Sequence, residues 1–296
     1  MAQKKLAWQS KTVLLVVLPF VAVSVVLQAH WWAEQDAPVA IWTLGLSAIL
    51  AMVTLGMRTA TPGAAFTGGV TAASLMFSTV IFPYKPWGTA LAPLLAVLLL
   101  SFAATRMGRG TKERLGTAER RSGRVAAQVA ANLGVAALVS DELAQSWLIG
   151  TGWFSPAGMA PVSLFAVGLA ALAEAAADTV SSEVGQVLGR RPRMITTLRT
   201  AEPGTDGAIS AAGTASGVLA AGLVALTGSL ALQGGMTLIW VSWAGGVFGL
   251  FFDSLLGATL ERSGKLNNDA VNFLSTACAA GFALLLLAVL ARVQAG

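Results

Sequence analysis

Apolar stretches long enough to cross a bilayer follow one another through almost the whole chain, at 12–29, 38–57, 62–82, 87–104, 125–145, 159–179, 207–228, 234–257 and 270–292. A hydrocarbon core about 30 Å thick takes roughly 20 mostly apolar residues per helical crossing. The pattern therefore predicts an all-α fold, a polytopic transmembrane helix bundle of about nine spans. With 55% hydrophobic and 11% charged residues, the 296-residue chain has too little polar surface to cover a water-soluble globule. Residues 1–296 are read as a single transmembrane domain. The third stretch, Pro62 to Phe82, is the most polar, with Thr67, Gly68, Gly69, Thr71 and Ser74. A re-entrant or broken helix is the open alternative there, and its loss would invert everything downstream. Lys4, Lys5 and Lys11 ahead of Thr12 to Ala29 resemble a secretory signal. The run ends in His30-Trp31-Trp32, not in small residues, so it is read as a retained first span.

Nine spans with a cytoplasmic N-terminus put all but Lys85 and Arg292 of the 19 lysines and arginines on the inner face, the arrangement that retention of basic loops favours. The expected location is the cell membrane, with the active site facing the cytoplasm. The acidic pairs Glu34/Asp36 and Asp141/Glu142 fall outside together with Trp31, Trp32, Trp87, Trp147 and Trp153, read as interfacial anchors. Gly213/Gly217 and Gly245/Gly249 permit close helix approach. The single cysteine, Cys278, and the single histidine, His30, exclude a disulfide framework and a thiolate or imidazole metal site, so oxygen must hold any metal. The net charge of +5 follows the inner-loop pattern, so membrane lipids, and not nucleic acid, are the expected partners. A homo-oligomer is compatible with the sequence.

An ionisable side chain at mid-helix in a bilayer costs about 2.5–3.5 kcal/mol on insertion scales, so each one requires an explanation. Glu174 and Asp178 are four apart on one face of the sixth span, Glu183 follows just past its end, and Asp253 lies in the last turns of the eighth. The ninth opens at the same face with Asn267-Asn268-Asp269 and Asn272. Gln128 and Asn132 sit in the inner half of the fifth, beside the basic segment Arg106 to Arg124. Carboxylates and amides next to cations suit a nucleotide or lipid phosphate held by Arg and Lys, with Mg²⁺ bridging to carboxylates. Arg190-Arg191-Pro192-Arg193 through Arg199 to Pro203-Gly204-Thr205-Asp206-Gly207 supplies guanidiniums and a glycine turn opening the seventh span, where helix amides form an anion seat. Plainer readings stay open: a structural or proton-relay pair for Glu174 and Asp178, a hydroxyl acceptor for Asp253, and a topology signal for Arg190 to Arg199. The chain has no GxxxxGK[ST] loop and no GxGxxG, and Asp206-Gly207 lacks the continuation used by CDP-alcohol phosphotransferases.

Six ordered strings carry a resemblance: Gly123 to Asn132 (GRVAAQVAAN), Ala177 to Gly185 (ADTVSSEVG), Pro192 to Thr197 (PRMITT), Pro203 to Ser210 (PGTDGAIS), Asp253 to Ala258 (DSLLGA) and Asn267 to Asn272 (NNDAVN). They resemble a family of integral membrane proteins, formerly a domain of unknown function, that includes the plastid phytyl-phosphate kinase and animal transmembrane protein 19. The resemblance marks residues 105–272 as a catalytic core, 1–104 as less characteristic helices, and 273–296 as the remainder of the last span. It implies a kinase-like enzyme acting on an isoprenoid alcohol or monophosphate, with CTP as donor. Two positions depart from the pattern, Ala208 in place of a second glycine and Val180 in place of a larger residue. A methyl at Ala208 disfavours φ > 0 and puts close approach of that turn to a phosphate in question.

The expected reaction is Mg²⁺-dependent phosphorylation of a prenyl or phytyl monophosphate by CTP or another nucleoside triphosphate. Asp178, Glu183, Asp253 and Asp269 are the expected catalytic and metal-binding residues. Lys112, Arg124, Arg193 and Arg199 are the phosphate contacts, and Asn132, Asn268 and Asn272 the orienting amides. Thr196, Thr197, Gly204, Thr205, Asp206, Gly207 and Ser210 complete the substrate and nucleotide site. Two rivals use the same groups: CTP-dependent nucleotidyl transfer to a lipid phosphate, and an ion-coupled transporter or flippase.

Overall fold

The computed structural model describes residues 7–118, 123–151 and 164–295. Lys4, Lys5, Arg120, Arg121, Trp153 and the first residues of the sixth predicted span lie outside the described residues. The long helices are α1 (Ala7–Gln35), α2 (Ala37–Gly56), α3 (Pro62–Phe77) and α4 (Leu91–Arg106), followed by the short α5 (Arg109–Leu115). Then come α6 (Ala126–Ser140), α7 (Glu142–Gly150) and α8 (Phe165–Leu188). A small ribbon of β1 (Arg193–Met194) and β2 (Ala208–Ile209) precedes α9 (Ala211–Leu232), α10 (Gly235–Leu256) and α11 (Asn268–Ala295). Each of the nine predicted stretches contains a helix. Among the described residues, only α1, α2, α8, α9, α10 (with the π turn that continues it) and α11 are long and apolar enough to cross a bilayer alone. A seventh crossing results if α4 and α5, bent by 67°, count as one. The helices in the third, fourth and fifth stretches are shorter than those stretches: α3, α4 and α6 have 16, 16 and 15 residues, about 24 Å of helix at most.

Local chemistry sets several boundaries. Asp36 and Pro38 part α1 from α2, a proline in the first helical turn having no amide to lose. Thr61 caps α3 through the Ala64 amide at 3.3 Å, Asp141 caps α7 through the Leu143 amide at 3.0 Å, and Ser210 caps α9 through the Gly213 amide at 3.1 Å. Within the polar third stretch Pro62–Phe77 is one continuous helix, in which Thr67 and Thr71 donate their hydroxyls to the Gly63 and Thr67 carbonyls one turn back.

The bundle is organised around α8. It packs against α4, α6, α9, α10 and α11, and every residue from Ala166 to Ala177 is buried. Alanine dominates this run, and small side chains are what allow five helices to surround a sixth. Gly213 and Gly217 of α9 lie against the Ser181 and Ala177 carbonyls of α8, while Gly245 and Gly249 of α10 lie against Ala170 and Glu174 of α8 and Ala279 of α11. Outer helices instead expose large apolar side chains, such as Leu15 and Val26 of α1, Leu230 of α9 and Leu285 of α11. Lipid is the solvent for that surface.

Polar contacts gather the basic loops at one end. Gln9 binds the Lys265 carbonyl and the Asn267 amide, Thr59 and Thr61 pair with the Arg124 backbone, and Lys112 binds Glu183. Asp141 lies at the other end with Ser24. A β-carbon at Gly249 would come within 2.5 Å of Glu174 Cγ and 2.8 Å of Ala279 Cβ, whereas one at Gly281 meets nothing within 4 Å. Gly249→Val is expected to lower the unfolding free energy of the purified protein by about 1–3 kcal/mol through overpacking, and Gly281→Ala to leave it unchanged. Thermal unfolding in detergent compares the two.

Candidate active site

Because α8 is enclosed, its two mid-helix acids face other helices and not lipid. Glu174 is 1% exposed and Asp178 is half-buried. Asp253, near the end of α10, comes within hydrogen-bonding reach of Asp178, and the Ser275 hydroxyl of α11 approaches both Glu174 and Asp253. Two bare carboxylates this near one another repel, so a cation between them would be favourable. One oxygen each of Glu174 and Asp253 is buried without a hydrogen-bond partner, which in a buried site marks a position suited to a further ligand. Arg124 brings positive charge towards Asp178.

An amide chain adjoins the acids: Asn268 donates to Asn272 Oδ1 at 2.9 Å, and Asn272 donates to Asn132 Oδ1 at 2.7 Å. The three predicted amides therefore form one unit across α6 and α11. Glu261, in the π turn Gly257–Glu261 after α10, lies within electrostatic reach of Asp178, Asp206 and Asp269. Sequence reasoning passed over Glu261, which lies beyond the end of the eighth predicted stretch, and Ser275. Ser275 was findable, since it follows Asn268 and Asn272 on one helical face.

Lys112 and Glu183 behave differently from expectation. The Lys112 side chain is 1% exposed, and its ammonium is held by the Ala104 carbonyl at 2.7 Å, the Thr105 carbonyl at 3.1 Å and the Glu183 carboxylate at 2.5 Å. An ammonium has three hydrogens, and these three acceptors match them. The residue thus closes the C-terminus of α4 and ties α5 to α8, so it is not available as the predicted phosphate contact. Glu183 is engaged by the same ion pair. Asp269, in the first turn of α11, joins the acids through Glu261. Among the described residues no group of three or more acidic, His or Cys side chains is placed to hold a metal ion. The predicted four-carboxylate metal set is therefore not assembled, and only Asp178 with Asp253 converges. Mg²⁺ fits such a pair when phosphate oxygens and water complete its shell, because it is commonly bound by one or two carboxylates plus substrate phosphate.

The arginine-rich segment forms the ribbon, with Arg193 opposite Ile209 and Met194 opposite Ala208. Gly207 adopts φ +74° and lies against the Ala258 backbone, leaving no room for a side chain. Ala208 is extended within β2, so its methyl costs nothing there. The turn Gly204-Thr205-Asp206-Gly207 leads into β2 and not directly into a helix, which corrects the expected helix-terminus seat. Ser210 is the helix cap, and its hydroxyl already takes one first-turn amide. Thr196, Thr197, Arg199, Thr205 and Arg262 line an open cleft of about 510 Å³ beside the ribbon. Arg193 is exposed at its edge, with its guanidinium donating to the Leu198 carbonyl at 3.3 Å.

A second cavity of about 580 Å³ lies between α2, α3, α4 and α6. Leu50, Ala72, Leu94 and Val129 are among its apolar walls, Asn132 and Ala175 form its side towards α8, and Arg58, Arg106, Arg109 and Arg124 line its charged end. The sequence places Arg106 and Arg109 in the basic segment expected to face a phosphate, whereas Arg58 enters it only as a topology signal.

Fold and site together define a polytopic helical membrane protein with a buried acid pair flanked by guanidiniums and an apolar cavity. The chain belongs to the family described as integral membrane protein DUF92, which matches residues 45–280. Uncharacterized membrane protein sll0875 of Synechocystis is 33% identical over 207 residues, 64% of this chain and 71% of that protein. Uncharacterized membrane protein MJ0933 of Methanocaldococcus jannaschii is 46% identical over 108 residues, which are 36% of this chain and 45% of that protein. Protein VTE6, chloroplastic, of Arabidopsis thaliana is 28% identical over 222 residues, 74% of this chain and 64% of its own. No solved structure matches the chain.

The buried ion pair generates a prediction. Lys112→Met strands Glu183 and two carbonyls, and is expected to cost about 3–5 kcal/mol. Adding Glu183→Gln is expected to recover part of that loss, a coupling that a double-mutant cycle on thermal or denaturant unfolding measures.

Proposed function

We propose that the protein is a Mg²⁺-dependent phosphotransferase that moves the γ-phosphoryl group of a nucleoside triphosphate, CTP favoured, onto a prenyl or phytyl monophosphate. The observation that carries this reading is the convergence of Asp178 and Asp253 next to Arg124, with an unpartnered oxygen on Asp253 and on the neighbouring Glu174, in a protein that also has a guanidinium- and hydroxyl-lined cleft and an apolar cavity. Family membership and the similarity to Protein VTE6, chloroplastic, support it, since the motifs resemble those of the phytyl-phosphate kinase family.

Phosphoryl transfer asks mainly for positioning and charge neutralisation. An oxygen of the acceptor phosphate bonds to the γ-phosphorus, the bond from that phosphorus to the β–γ bridging oxygen breaks, and the nucleoside diphosphate leaves with the electron pair. Mg²⁺, when bound, supplies charge neutralisation on the phosphate oxygens. Asp178 and Asp253 would hold it. Arg124 binds the acceptor phosphate, while Arg199, Thr196, Thr197 and Thr205 orient the donor. Asn132 and Asn272 fix each other and keep α6 registered against α11. The acceptor is already anionic, so no strong general base is required.

Purified protein with Mg²⁺, α-labelled CTP and geranylgeranyl monophosphate is expected to yield unlabelled geranylgeranyl diphosphate, identified by mass. Asp178→Asn and Asp253→Asn are each expected to reduce turnover at least about 100-fold, a loss of roughly 2.7 kcal/mol of transition-state stabilisation, while the protein stays folded. Label in the lipid phase would establish nucleotidyl transfer instead. Lipid movement across vesicles without nucleotide turnover would establish a carrier.

A further inference from the structure

The cavity between α2, α3, α4 and α6 has three features that the acid pair does not account for. Its walls are apolar, and its volume of about 580 Å³ lies within the roughly 300–1,000 Å³ typical of one small ligand. It opens sideways: α2 and α4 barely touch, and Val53 and Met57 on one rim and Leu95 and Leu99 on the other are exposed. Its polar features are collected towards one end, where Arg58, Arg106 and Arg109 join Arg124. Ser101 lines the cavity one turn from Thr105, 6% exposed, with a hydroxyl that has no partner.

An apolar slot open to lipid, with guanidiniums at one end, matches an amphiphile with one chain and an anionic head. We infer that this cavity is the seat of a single-chain lipid phosphate, which enters laterally from the bilayer with its tail along α3 and its phosphate against Arg58, Arg106 and Arg109. The inference rests on the proposed transfer only in that this lipid would be its acceptor. Arg106 is held for the task by its guanidinium lying 4.3 Å over the Phe102 ring, which fixes the fork at the cavity end. Arg124, shared between the cavity and the field of Asp178, connects the lipid head to the acids. Gly68, Gly69 and Ala72 on α3 keep the far part of the slot open, and they set the tail length that fits.

Binding without nucleotide tests this directly. The purified full chain is titrated with geranylgeranyl monophosphate, geranyl monophosphate, geranylgeraniol, inorganic phosphate and dioleoyl phosphatidic acid, with thermal unfolding and native mass spectrometry as readouts. Geranylgeranyl monophosphate is expected to stabilise saturably, geranylgeraniol more weakly, and inorganic phosphate and the two-chain lipid not at all. Arg106→Gln is expected to weaken the lipid phosphate about tenfold, the usual scale for a lost charge-assisted bond, and to leave geranylgeraniol unaffected. Gly68→Leu, whose β-carbon would meet only Val129 Cγ1 at 3.7 Å, is expected to weaken the C20 phosphate far more than the C10 phosphate. Ala72→Leu does the same from one turn further along, should Gly68→Leu fail to fold. Equal C20 binding by a folded wall variant and the wild type would overturn the inference, as would equal affinity for alcohol and phosphate. Lipid-phosphate binding with no product in the presence of CTP and Mg²⁺ would sink the transferase reading alone.

Discussion

Placing carboxylates within the depth of a bilayer is the constraint on which the rest of this structure depends. Glu174, Asp178 and Asp253 are tolerable only where protein, not hydrocarbon, surrounds them. The enclosure of α8 by α4, α6, α9, α10 and α11 provides that surrounding. It requires Ala166 to Ala177 to be small, and it requires Gly245, Gly246 and Gly249 where α10 meets α8. A larger residue at Gly249 would displace Glu174 itself, so the packing of the helices and the position of the acid are one physical problem.

The polar end of the bundle divides its charges by role. Lys112 is spent internally, joining the end of α4 to α8 through Glu183, and it gives α5 a fixed place despite its seven residues. Arg124 is held by backbone bonds to Thr59 and Thr61 and faces both the cavity and Asp178. Arg199 and Arg262 line the cleft by the ribbon, where Gly207 lets the loop seat on the π turn that carries Glu261.

Much of the site was legible in the sequence because ionisable and amide groups inside apolar runs are conspicuous. Asp178, Asp253, Asn132 and Asn272 stood out on those grounds, and the structure brings each acid and each amide to its partner. Glu261 was not legible, because nothing in an ordinary turn sequence announces a π turn. Arg58 was indistinguishable from any inner-loop cation, and Arg106 and Arg109 from the rest of their basic segment, until helix ends met around a cavity. Lys112 had the composition of a phosphate ligand, and only the proximity of α4 carbonyls and Glu183 showed its charge to be already satisfied.

The sequence by itself determined the solvent, the helical class, the location of nearly all helices and the charged end of the bundle. Each of these follows from local composition and from the cost of exposing backbone or charge to hydrocarbon. Tertiary structure decided which helix is central, that the helices formed in three of the nine stretches are too short to span alone, and which acids face one another. Those outcomes depend on contacts between residues far apart in the chain, such as Asp178 with Asp253 or Asn132 with Asn272, and no local periodicity encodes who meets whom.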